Sequence, residues 1–402
     1  MSQNCSITSP KGFRAAGVSA GLKKTGAPDL ALVVSDTPAV TAGVYTRNVV
    51  KGHSLVRTIE ALQRTETVHG VLINSGNANA CVGAIGQKDA EEAARAVSDL
   101  LHCHPDQVLT CSTGVIGQRL NMEAILSGIP VAFHSLSHEV AAGHLAMQAM
   151  MTTDLVPKES FARISIGDKT VSMAGMAKGS GMIHPNLGTM ISIITTDAAI
   201  SRDFLQQMLS RVSAKTFNRV SVDGDTSVCD TLLILANGMS DSAEILPGSN
   251  EADLFEDALL LVCLDLARMM AKDGEGATKL VEVEVSGART PEDAYRIVLS
   301  VCRSPLCKTA IFGEDANWGR ILTAAGYSGA SFHPEEVDIL IGGLPVCKNG
   351  CALPFDEAAA KRILQKDEVL ISIRLREGEC FDRMWTCDFS YDYVKINGSY
   401  RS

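Results

Sequence analysis

The chain has 402 residues, 46% hydrophobic and 20% charged, with 34 Gly and 13 Pro. This is the balance of a folded chain with one large core or two ordinary ones, and it excludes a disordered or fibrous protein. Its 36 Lys and Arg stand against 46 Asp and Glu, a formal net charge of −10, so counterion release from a phosphate backbone is not available to drive binding and no nucleic-acid partner is expected.

The uninterrupted apolar run Ala258–Leu264 ends at Asp265, well short of the roughly 20 residues that span a bilayer, so no membrane is expected either. Residues 1–10 show neither a basic n-region nor an apolar h-region, and the expectation is a cytoplasmic protein.

In chain order, Ala90, Ala93, Ala94, Val97, Leu100 and Leu101 keep the spacing of a core-facing helix. Ile164, Ile166, Val171 and Met173 flank Gly167-Asp168 as an alternating hairpin. A stretch of small residues from Ala177 leads past Pro185 to Gly188, and Met190, Ile191, Ile193 and Ile194 then read as a buried strand. Phe204, Leu205, Met208, Leu209 and Val212 follow a Ser201 cap as a helix, and Asp253–Met270 gives another. Leu280–Val285 alternates like a strand with one wet face. Helices over Pro291–Arg303 and Glu357–Gln365 and a strand over Glu368–Arg376 follow. From about residue 281 the chain therefore reads as a smaller α+β domain packed on the rest, and the fold class is α/β, a layered α+β sandwich.

Generic motifs carry little. Twelve cysteines scattered from Cys5 to Cys387 read as reduced thiols in a large chain, and only Cys347, Cys351, Cys380 and Cys387 form a grouping that zinc chemistry would consider. Their spacing departs from paired C-x2-C knuckles, so no metal is expected. His138-Glu139 and His144 resemble a zincin helix, but six residues at 100° each rotate the second His onto another face. Gly17-Val-Ser19-Ala-Gly21 has the letters of a nucleophile elbow, yet no buried strand is expected before it, and Lys23, Lys24, Gly26 and Pro28 stand where the helix would begin. Gly179-x-Gly181-x-x-His184 lacks a third glycine and no P-loop exists, so no nucleotide cofactor is indicated.

The junction Gly188-Thr189 is more informative. A Gly-Thr bond at the mouth of a buried strand suits a self-processing threonine, because the hydroxyl must reach the preceding carbonyl past a residue with no side chain. Cleavage would free an α-amino group with a reference pKa of about 7.7–8.0 as the nucleophile's own base. A loop entering a core strand accounts for the same letters.

Eight ordered blocks extend this reading. They are Asn74–Ala80, Ser112–Gly117, Met151–Asp154, Lys178–Met190, Phe217–Arg219 with Asp223–Ser227, Asp273–Lys279, Asp315–Arg320 and Ile396–Ser402. In this series the chain resembles the ornithine acetyltransferase (glutamate N-acetyltransferase) family of arginine biosynthesis.

The resemblance implies an aminopeptidase-like layered fold and a cut between Gly188 and Thr189, giving an α fragment 1–188 and a β fragment 189–402 that stay together, assembled as a heterotetramer of two α and two β. It implies that Thr189 is the nucleophile of a ping-pong transfer of acetyl from N-acetylornithine to glutamate, with Thr113 and Gly114 as the oxyanion hole. Substrate contacts implied are Thr152, Lys178, Thr189, Glu275, Asn397 and Ser402, with Thr153 the near rival of Thr152. Lys178 suits a carboxylate and Glu275 an ammonium; without the family context the two read as a solvated charge pair. No cofactor is implied, and acetyl-CoA is left open as a second donor. Departures from the family pattern fall at Gly188, Val228-Cys229, Ala316 and Gly398. Two other readings stay open: an amidase or aminopeptidase with water as acceptor, and a non-catalytic amino-acid-binding protein that never cuts itself.

Overall fold

The computed structural model describes residues 4–185 and 190–399. Up to residue 236 its strands are β1 (Phe13–Val18), β2 (Leu30–Tyr45), β3 (Thr67–Asn77), β4 (Val108–Val115), β5 (Lys158–Ile166), β6 (Lys169–Lys178), β7 (Ile191–Thr196) and β8 (Thr231–Ala236). They form one sheet in the order β4-β3-β2-β8-β7-β6-β5, with β1 also paired to β2. A register shift between Val34 and Ala39 divides β2. Its first half pairs with β1 and its second with β8, so one strand serves two neighbours on the same edge. Pairs β3–β4 and β7–β8 are parallel.

Strands β7 and β8 are buried along their whole length because the sheet is covered on both faces, the physical reason that this run is apolar without alternation. On one face Ile194, Leu232 and Ile234 pack with Phe204 and Leu209 of the helix Arg202–Lys215 and Phe255, Leu259, Val262 and Leu266 of the helix Asn250–Lys272. On the other, Ile191, Ile193, Leu233 and Leu235 join Ala146, Met147 and Met150 of the helix Val140–Met150. Each such Leu, Ile or Phe contributes roughly 1.5–3 kcal/mol by leaving water. The long helix starts where Ser249 accepts the Ala252 N–H at 3.1 Å, a cap worth about 1 kcal/mol.

Beyond residue 279 a second sheet runs in the order β12-β11-β10-β13-β9-β14, with β9 (Leu280–Ala288), β10 (Asp338–Ile341), β11 (Leu344–Lys348), β12 (Cys351–Ala352), β13 (Glu368–Arg374) and β14 (Cys380–Cys387). Val281, Val283 and Val285 enter its core with Ile297, Val298 and Val301 of the helix Pro291–Arg303. The opposite face of β9 is only partly wet. Glu282 accepts from Arg268 of the long helix at 2.7 Å and from Trp385 Nε1 at 2.9 Å, and Glu284 accepts from Ser372 at 2.6 Å.

Two sequence expectations need correction. A strand, β1, does precede Gly17-x-Ser19-x-Gly21, and its Phe13 and Ala15 reach the core; the elbow still fails, since residues 19–29 continue as loop with Ser19 exposed. His138 is not on a helix at all, because the helix begins at Val140. It bonds the Phe13 carbonyl at 2.9 Å, while His144 meets Glu159 at 2.6 Å. Cys380 and Cys387 stand at opposite ends of β14, Cys351 is exposed and Cys347 buried, so the four do not gather. Among the described residues no three His, Cys, Asp or Glu are placed to hold a metal ion, and no helix is long and apolar enough to cross a membrane.

Candidate active site

The C-terminal ends of β4 and β6 open onto a cleft of about 210 Å³, closed on other sides by the Thr152–Thr153 loop, Glu275 and Asn397 of the helix Tyr391–Ser399. Thr113 and Gly114 form the β4 end. Gly114 sits at φ +130°, and a Cβ there would stand 2.4 Å from the Gly76 carbonyl carbon and 2.5 Å from the Asn77 nitrogen. Only glycine fits, because β3 breaks register against β4 at this point.

Lys178 ends β6 with 2% of its surface exposed, and its Nζ donates to Thr113 Oγ1 at 3.2 Å. Burial pushes its amine below the ordinary lysine value, opposed by the charge of Asp154. Burial would raise the Asp154 carboxyl in turn, but the ammonium groups of Lys178 and Lys158 outweigh it and hold it well below the usual carboxylate range.

Asp154 is a junction. Its Oδ1 accepts from Lys158 Nζ at 2.7 Å and from the Gly179 N–H at 2.7 Å, and its Oδ2 accepts from the Thr152 N–H at 3.0 Å. Lys158, fully buried, also donates to Asp273 Oδ2 at 2.5 Å, which takes the Leu155 N–H at 3.1 Å. Ser180 Oγ donates to the Asp273 carbonyl at 2.6 Å, and the Glu275 N–H to the Ser180 carbonyl at 3.0 Å. The segments that carry Thr152, Lys178 and Glu275 are thereby tied through one buried ion-pair network. Such a network is costly if any member is lost, since it leaves an unpaired charge out of water.

Glu275, 8% exposed, accepts from Asn397 Nδ2 at 2.8 Å. It lies over Gly181, where a Cβ would come within 2.4 Å of its carboxyl. Asp223 accepts the Met182 and Ile183 N–H groups at 2.5 and 3.1 Å, and burial pushes its carboxyl up to about 6. At the entry to β7, Asp230 Oδ1 accepts the Met190 N–H at 2.9 Å. Asp230 is fully buried, its other oxygen has no hydrogen bond among the described residues, and burial drives its carboxyl well above the usual range.

The cleft therefore brings together Thr113, Gly114, Thr152, Lys178, Glu275 and Asn397, and Thr153 lines it as well as Thr152. Lys178 and Glu275 are not the solvated pair that they resemble when read alone. Gly188, Thr189 and Ser402 lie outside the described residues. Sequence reasoning missed Lys158, whose place at a strand start reads as exposed, and Asp230. Asp154, Asp223 and Asp273 were within quoted blocks, without a role.

The ArgJ family model matches residues 14–402. An arginine biosynthesis bifunctional protein ArgJ from Symbiobacterium thermophilum is 49% identical over 400 residues, 98% of each chain. One from Bacillus subtilis is 44% identical over 397 residues, 98% of this chain and 96% of that one. The crystal structure of an arginine biosynthesis bifunctional protein argJ from Bacillus halodurans, 44% identical, superposes with a TM-score of 0.51 and covers 52% of this chain and 98% of that chain. These similarities define an acyltransferase of arginine biosynthesis, of the glutamate N-acetyltransferase (ornithine acetyltransferase) type. The chain belongs to the ArgJ family.

Proposed function

We propose that the chain cuts itself between Gly188 and Thr189 and then moves an acetyl group from N-acetylornithine to glutamate through an ester on Thr189. The carrying observation is the convergence of Thr113, Gly114, Lys178, Thr152 and Glu275 on one cleft, with residue 190 held at the entry to a buried strand by Asp230. A further support is size: the Bacillus halodurans chain covers 52% of this one, and residues 189–402 are 214 of 402, about 53%.

In this reading the Thr189 hydroxyl attacks the acetyl carbonyl, its proton passing to the freed α-amine and on to the departing ornithine nitrogen as the amide C–N bond breaks. The Thr113 hydroxyl and the Gly114 N–H receive the negative oxygen of the tetrahedral intermediate. Glutamate's neutral amine then attacks the ester carbonyl, its proton passes by way of the α-amine to the Thr189 oxygen as the C–O bond breaks, and N-acetylglutamate leaves the restored hydroxyl. Thr152 or Thr153, Asn397 and Ser402 fix polar ends of the substrates by hydrogen bonds, and Glu275 receives an ammonium. The fragments 1–188 and 189–402, the latter carrying the α+β domain from about residue 281, remain joined and pair into a heterotetramer.

The test follows the label from N-acetylornithine carrying a labelled acetyl group, with glutamate present. Label in N-acetylglutamate supports transfer. Label in free acetate alone makes the protein an amidase, and bound but unconverted N-acetylornithine makes it a binding protein.

A further inference from the structure

Thr113 has one proton to give and two lone pairs. The structure places the Lys178 ammonium 3.2 Å from that oxygen, with Thr113 3% and Lys178 2% exposed, so water competes weakly for either. A hydroxyl that accepts from an ammonium turns its own proton away from that donor and becomes a stronger donor itself, as hydrogen bonds in a low-dielectric site polarise one another. The neighbouring Gly114 lines the same cleft beside Thr113.

Lys178 is in turn held from behind. Asp154 balances its charge, but the Asp154 oxygens are engaged by Lys158, by the Gly179 N–H and by the Thr152 N–H. The hydrogen bond that Lys178 makes among the described residues goes to Thr113.

We propose that Lys178 acts on the reaction through Thr113, as a positioning residue that orients and polarises the hydroxyl donor of the oxyanion pocket. This rests on the reading of Thr113 as that donor. It differs from a role for Lys178 as the partner of a substrate carboxylate, which would leave the two residues independent.

A double-mutant cycle separates these roles. Thr113→Ala, Lys178→Met and the pair are assayed for acetyl transfer per mole of cut chain, the cut fraction being read from intact mass. The expected result is a loss of about 10²–10³ in kcat for Thr113→Ala, and a loss for Lys178→Met that falls in kcat with KM held, the signature of an interaction made in the transition state. The double variant is no more than about threefold worse than Thr113→Ala alone, because Lys178 has no hydroxyl left to act on. Thr113→Ser, which keeps the hydroxyl, retains the sensitivity to Lys178→Met.

Losses that multiply, or a Lys178→Met variant whose KM rises while kcat stays, overturn the proposal and leave the oxyanion reading standing. A fully active Thr113→Ala overturns both. Should Lys178→Met not fold, Lys178→Gln takes its place in the same cycle; a Lys178 variant that folds but stays whole is scored on the rate of cutting, with multiplying losses again counting against the proposal.

Discussion

The two sheets spend their interiors differently. Around the cleft of the eight-stranded sheet the protein buries Asp154, Lys158, Lys178, Asp230, Asp273 and Glu275. The six-stranded sheet fills its core with Val281, Val283, Ile297, Ile339, Ile371 and similar side chains. Among its described residues the buried Lys and Asp side chains, Lys308 and Asp388, are held by polar partners: Lys308 donates to Thr386 at 2.7 Å, and Asp388 accepts from the Thr278 and Lys279 N–H groups that lead into β9. Taking ions out of water costs more than packing hydrocarbon, and a buried ion pair is weak evidence of stabilisation. A region that concentrates such groups is therefore built for chemistry at the expense of stability, whereas the second sheet is built as a scaffold.

The contrast is broken most forcefully at Lys158. Lys158→Met strands Asp154 and Asp273 without their shared cation and is expected to lower unfolding free energy by about 3–5 kcal/mol, read from urea denaturation. Adding Asp273→Asn recovers part of that stability without restoring transfer, because the Thr152, Lys178 and Glu275 segments lose their common tie. A Lys158→Met protein as stable and as active as wild type would show that the network is ornamental.

A smaller change falls at Gly181. Gly181→Ala drives a Cβ into the Glu275 carboxyl and is expected to raise KM for the amino-acid substrate about tenfold, some 1.4 kcal/mol of binding, with global stability little altered. Steady-state kinetics beside a thermal melt would check it. Unchanged KM would remove Glu275 from substrate binding. Least of all, Ile371→Val in the second sheet should cost about 0.5–1.5 kcal/mol in a denaturant melt and leave kcat alone, since Ile371 belongs to the hydrophobic core of that sheet. A fall in kcat there would mean that the scaffold is coupled to the cleft.

What the sequence discloses follows the same division. Helical and alternating periods in apolar stretches were readable: Asp253–Met270 lies inside the helix Asn250–Lys272, the hairpin at Gly167-Asp168 joins β5 to β6, and Pro291–Arg303 is a helix as read. Strand β2 escapes because Asp36 and Pro38 interrupt its apolar run near the register shift. β1 escapes because Arg14 and Gly17 dilute a six-residue strand. Thr113, Gly114, Thr152, Lys178, Glu275 and Asn397 were found through ordered motifs, not periodicity. Lys158 had no such motif. Its burial depends on two carboxylates, one of them more than a hundred residues away in sequence, and no local pattern records a partner at that distance. Nor does local pattern record that the wet face of β9 would be covered by Arg268.

The most direct measurement of the central claim is the intact mass of freshly purified wild-type protein beside Thr189→Ala. Two wild-type fragments are expected, of 188 and 214 of the 402 residues, roughly 20 and 23 kDa of the 42.7 kDa total, the larger beginning at Thr189, beside a single uncut Thr189→Ala chain. A folded wild-type protein that stays whole while still transferring acetyl groups would contradict the claim.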